Sequence, residues 1–140
     1  MIRLLVVDDN AAIRAAVTEL CAAAGDVTVV AECIDGSGAA DAARHSRPDV
    51  VLMDLSMPGT GGLAATREVL AESADARVVV LTGSFSAATV REARAIGAVG
   101  YLVKDGDPAE LLRGVRAVAA GGTAWGAAAA ATLRSHPPNG

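Results

Sequence analysis

An α/β fold, a doubly wound parallel sheet with helices on both faces, is what this chain predicts, and three observations predict it. The apolar runs are short, rich in Val and continuous rather than alternating, at 3–7, 27–31, 50–53, 78–81 and 99–103. Runs of that kind suit strands buried on both faces of a parallel sheet. Segments with helical spacing separate them, so β and α alternate along the chain and right-handed crossovers are expected. Finally, four of the strands end in a chemically specific group: LLVVDD at Asp8 and Asp9, VVLMD at Asp54, VVVLT at Thr82 and YLVK at Lys104. In open α/β sheets, ligand sites form outside the carboxyl ends of the strands.

Each helix has its own signals. Ile13, Val17, Leu20, Cys21 and Ala24 fall on one helical face, with Asn10 placed to cap the start and Gly25 to end it. The Ala-rich stretch 37–46 predicts a second helix, ended by Arg47-Pro48 because Pro lacks a donor and restricts its predecessor. Gly36-Ser37-Gly38 lacks the third glycine of a dinucleotide fingerprint and follows the second strand, so it reads as a tight turn. Segments 62–73, 86–96 and 108–120 complete the set, the last with Asp107 as N-cap, Pro108 at the first helical position and Gly121 after its end. Beyond Gly121-Gly122 the stretch AWGAAAAATLR predicts an extra helix or the start of a linker, with nothing added to the strands. The expected organisation is one domain over 1–121 and this extension over 122–140.

Composition narrows the function. With 12 Lys+Arg against 16 Asp+Glu the net charge is −4, and no basic stripe of the kind that displaces counterions from nucleic acid is visible. Phe85, Tyr101 and Trp125 are too few and too scattered for base stacking. No apolar run reaches the roughly 18 residues of a membrane span. The start, MIRLLVVDD, does not read as a signal peptide. Cys21 and Cys33 lie in apolar patterns and read as free buried thiols of a reducing compartment, which makes the cytoplasm the expected location. His45 and His136 are isolated, so a zinc site has no support.

Asp8, Asp9 and Asp54 at one rim pose an electrostatic problem. Two unit charges about 4 Å apart repel by about 4 kcal/mol at an effective dielectric near 20. Hard oxygen ligands at an open rim suit Mg²⁺, with Mn²⁺ as an alternative occupant. Asp54 can then act as a nucleophile toward phosphorus, since carboxylates form acyl phosphates. Lys104 supplies a point charge for phosphoryl oxygens, Thr82 a hydroxyl, and Gly83 leaves the approach open.

These blocks, VVDDN, MDLSMPGTGG, LTG and YLVKD, resemble in order the receiver domain of bacterial two-component response regulators, over residues 2 to about 120. The resemblance implies a flavodoxin-like (βα)5 fold with strand order 2-1-3-4-5. It implies Asp8 and Asp9 as the metal pair, Asp54 as phosphoacceptor, Ser56 lending its backbone carbonyl to the metal, and Pro58 and Gly62 in the loop after the acceptor strand. Thr82 would be the switch hydroxyl, Tyr101 the switch aromatic that rotates toward the core, and Lys104 the phosphate-binding lysine. Asp105 stands where Pro often follows that lysine. With the Asp-Pro-Ala-Glu-Leu-Leu helix start, it is typical of the subfamily that carries a LuxR/NarL-type helix-turn-helix.

The function so implied is a phosphorylation-activated switch, not an enzyme acting on an outside substrate. A sensor histidine kinase would be the donor, a phosphorylation-dependent homodimer the response, and transcription the output. DNA would be reached only through a C-terminal domain absent from this chain, read as cut within its linker rather than as a stand-alone receiver. Two rivals are a degenerate receiver working as a phosphorylation-independent interaction module and a metal-dependent phosphohydrolase. The intact carboxylates, Thr82 and Lys104 argue against the first. No additional base or substrate-binding loop supports the second, and a phosphatase of the aspartyl-phosphate type would need a second Asp where Ser56 stands.

Overall fold

A computed structural model describes residues 1–57, 59 and 61–135; Pro58 and His136, named above, lie outside the described residues. The elements run β1 (Ile2–Val7), α1 (Ala11–Ala24), β2 (Val27–Cys33), a 3₁₀ turn (Gly36–Gly38), α2 (Ala39–Ser46), β3 (Val50–Met53) and α3 (Gly62–Glu72). They continue with β4 (Val78–Thr82), α4 (Ala87–Ile96), β5 (Gly100–Val103), α5 (Pro108–Ala119), β6 (Ala124–Trp125) and α6 (Ala127–Ser135). The strands form one parallel sheet in the order β2-β1-β3-β4-β5-β6. The expected five-strand order is present, with a sixth strand at its edge.

Caps place the helices where the residue types anticipate them. The Asn10 side chain accepts from the amides of Ala12 and Ile13, and Gly25 closes α1 at φ 83°. Asp107 accepts from the Ala109 amide ahead of Pro108. The Gly36-Ser37-Gly38 turn takes the first residues of the expected second helix, so α2 begins at Ala39.

The strands alternate between two helical layers. Leu4, Val6 and Leu52 face Val17 and Cys21 of α1 and Val115 and Val118 of α5. Leu5, Val7, Val51 and Met53 face Ala39 and Ala43 of α2 and Ala65 and Val69 of α3. All four residues of β3 are buried, as are all five of β4, which explains their unbroken apolar runs. Cys21 is buried and Cys33 half-buried; both are free thiols whose pKa is pushed up by burial.

One expectation is corrected. The stretch after Gly122 does add to the sheet: Ala124 and Trp125 pair in parallel with Gly100 and Tyr101. Two residues are too few to show a strand pattern, and the pairing depends on bare backbone at Gly100. A Cβ there would lie 2.8 Å from the Ala124 carbonyl oxygen. The extra helix is present as α6, which packs on α4 and β6.

Candidate functional site

Sheet register brings the strand ends together. Val7 pairs with Met53 and Thr82 with Val103. One step further, the Asp54 amide donates to the Val7 carbonyl at 2.9 Å, and the Lys104 amide to the Thr82 carbonyl at 2.8 Å. Asp8, Asp9, Asp54, Thr82 and Lys104 therefore emerge on one rim.

Carboxylate oxygens of Asp8, Asp9 and Asp54 lie within 4.8 Å of one another, a spacing that fits a shared cation. Asp8 and Asp54 are each 2% exposed, while Asp9 is open to solvent. Lys104 reaches into the group, its Nζ 2.7 Å from Asp8 Oδ2 and 3.2 Å from Asp54 Oδ1. Backbone donors complete the seats: the Asn10 amide lies 2.9 Å from Asp8 Oδ1, and the Ser56 amide 3.2 Å from Asp54 Oδ1. Burial alone pulls the Lys104 ammonium down, but hydrogen bonds and charge from Asp8 and Asp54 outweigh it and hold its pKa above the ordinary value. One ammonium cannot neutralise three carboxylates. The donor set is all hard oxygen and strongly negative, so it fits a small divalent cation with open coordination positions.

Thr82, 3% exposed, lines a cavity of about 330 Å³ together with Ser56, Ser84, Ser86, Thr89 and Tyr101. Tyr101 is tied to the loop that follows β4. Its hydroxyl donates to the Ser84 carbonyl at 3.2 Å, and its ring meets Phe85 edge-on with centroids 6.3 Å apart. At 2% exposure the ring lies in the core, the inward position that the sequence reading gives to the switch aromatic. A larger groove of about 400 Å³ lies between α1 and α5, and Lys104 is the only one of the predicted site residues on its wall.

Two residues carry weight that sequence reasoning missed. Arg14 Nη1 donates to the Asp8 carbonyl at 2.7 Å, clamping the peptide that joins Asp8 to Asp9, while its Nε pairs with Glu32 Oε1 at 3.2 Å. A cation near a helix N-terminus opposes the helix dipole, and that was the available signal. Gly62 carried a loop match only, but its packing is the tighter constraint. A Cβ at Gly62 would collide with the Asp54 carbonyl oxygen and lie 2.7 Å from Leu55 Cα.

Residues 4–116 match the response regulator receiver domain. The chain belongs to that family. It is 40% identical to the response regulator GacA of Pseudomonas viridiflava over 121 residues, covering 86% of this chain and 56% of that protein. To the nitrate/nitrite response regulator NarL of Escherichia coli K12 it is 37% identical over 118 residues, covering 84% and 55%. The chain thus spans about half the length of these relatives. Among solved structures, a LuxR-family two-component response regulator from Aurantimonas sp. SI85-9A1 superposes with a TM-score of 0.89 at 34% identity, covering 95% of each chain. The isolated receiver domain of RcsB from Salmonella enterica, at 19% identity and a TM-score of 0.84 over 94% of this chain and 97% of that one, shares the fold. The NarL/LuxR-type reading of the receiver agrees with these relatives.

Proposed function

We propose that this receiver accepts a phosphoryl group on Asp54 and passes the change to an output surface. The observation that carries this reading is the Lys104 ammonium bridging buried Asp8 and Asp54 beside Asp9. A sensor histidine kinase, or acetyl phosphate, is the donor. An Asp54 carboxylate oxygen attacks phosphorus, the P–N bond to the kinase histidine (or the P–O bond to acetate) breaks, and the electron pair leaves with the donor. Lys104 and the Thr82 hydroxyl bind the phosphoryl oxygens. Mg²⁺ would be held by Asp8, Asp9, Asp54 and the Ser56 carbonyl, where it supplies positive charge for those oxygens, with Mn²⁺ as a substitute.

The product is a changed surface rather than a released molecule, so the chain is a switch and not an enzyme with an outside substrate. Shifting such a switch from 1:99 to 99:1 takes about 5.5 kcal/mol, within reach of several charge-assisted contacts to a new dianion. In this reading residues 122–140 follow the receiver unit of 1–121 and would connect it to an output module, with β6 and α6 folded back onto the receiver. That module would bind DNA from the cytoplasm and act as a phosphorylation-dependent homodimer in transcription. No described helix is long and apolar enough to cross a membrane. Intact mass after incubation with acetyl phosphate and Mg²⁺ tests the reading. One phosphoryl adduct is expected in the wild type and none in Asp54→Asn; an adduct that persists in the variant overturns it.

A further inference from the structure

β6 and α6 are seated on the ring through which the proposed switch works. Tyr101 pairs with Trp125, the Gly126 amide donates to the Tyr101 carbonyl at 3.0 Å, and the Ala124 amide to the Val99 carbonyl at 2.9 Å. The Tyr101 side chain shares a core cluster with Val80, Val90, Ala93, Ala98 and Ala129, edged by Trp125 and Leu133. Ala129 of α6 is 2% exposed. The seat is shaped for this segment. At Gly100 a Cβ would strike the Ala124 carbonyl, and at Gly114 of α5 a Cβ would lie 3.1 Å from Ala124 Cβ and from Leu102.

A continuous set of contacts links this seat to the rim. Thr82 ends β4; two residues on, the Ser84 carbonyl accepts the Tyr101 hydroxyl, and α4 starts at once under the Ser86 cap. Val90 and Ala93 of that helix are the residues that α6 packs beside. We infer that segment 124–135 is a strap whose seating on Tyr101 and α4 is positively coupled to phosphorylation of Asp54. The inference rests on the phosphoacceptor reading above. A phosphoryl group that draws Thr82 inward favours the ring inside the core, and the seated strap holds the ring in that place. Two influences that favour one state must strengthen each other by the same factor.

The test uses the full chain with Mg²⁺ and acetyl phosphate, with the adduct verified by intact mass and hydrogen exchange followed over 124–135. The expected result is exchange slowed about 5-fold or more in α6 when the adduct is present, the lower end of usual coupling strengths. Unchanged or faster exchange with the adduct in place overturns the coupling alone. Absence of any adduct overturns the functional reading and the coupling with it. A reciprocal measurement uses Ala129→Asp, which puts a carboxylate under α6 outside the β1–α5 framework. Its affinity for beryllofluoride with Mg²⁺, read from the Lys104 amide resonance, is expected to weaken about 5-fold or more. Wild-type affinity alongside accelerated α6 exchange would overturn the proposal.

Discussion

Lys104 is held between two carboxylates that are almost fully buried, and its removal is therefore felt as stranded charge. Breaking a buried pair from one side typically costs about 3–5 kcal/mol, because the partner stays desolvated without compensation. Lys104→Met should destabilise the fold by about 3 kcal/mol in chemical denaturation, and Mg²⁺ should recover part of the loss. An Mg²⁺-independent deficit would mean that the carboxylates do not share a cation. Arg14 acts one step back, through the Asp8–Asp9 peptide. Arg14→Ala should weaken Mg²⁺ binding about 5-fold, roughly 1 kcal/mol of lost positioning, with little change in unfolding temperature. Arg14→Lys, which keeps one donor, should restore part of it; titration of the Asp9 and Asn10 amides reads both. Asp8, Asp9, Asp54, Thr82 and Lys104 were legible because each ends a strand, and strand ends share a rim whatever the packing. Arg14 was not, because a cation near a helix N-terminus does not by itself say that its guanidinium turns back onto the Asp8 carbonyl at the end of β1.

At the scale of elements, Gly62 sets how closely α3 can approach the acceptor strand. Gly62→Ala forces a methyl into the Asp54 carbonyl. Because the contact is backbone on backbone, relief requires moving α3 or the strand end. The expected cost is about 1–3 kcal/mol of stability. The Asp54 adduct should also form more slowly than in the wild type at equal acetyl phosphate and Mg²⁺. A fully stable variant with a normal adduct rate would show that the loop accommodates the methyl. The five long strands and five helices were readable from run length, helical spacing and caps. β6 was not. Two residues carry no periodicity, and what seats them is the missing side chain of Gly100 and of Gly114, far away in sequence.

Across the whole molecule, the alkaline limit of stability should involve Tyr101. Burial pushes its phenol above the ordinary value of 10.0, so the folded state holds the proton more tightly than the unfolded one. The stability so contributed is complete below the unfolded pKa and is lost as pH rises through the folded one. Tyr101→Phe should therefore flatten the decline in unfolding temperature above about pH 10, the ordinary phenol value. An equally steep decline in the variant would place the alkaline transition elsewhere. At this scale the alternation of elements announced the fold class. The strand order needed the family resemblance, because apolar periodicity does not say which strands are neighbours.

The edge position of β6 has a practical corollary. Trp125 is the chain's one indole, and it sits opposite the chain's one phenol. Excitation energy passing from that phenol to that indole makes the pair an intrinsic optical gauge of a single strand contact, requiring no dye and no engineered label.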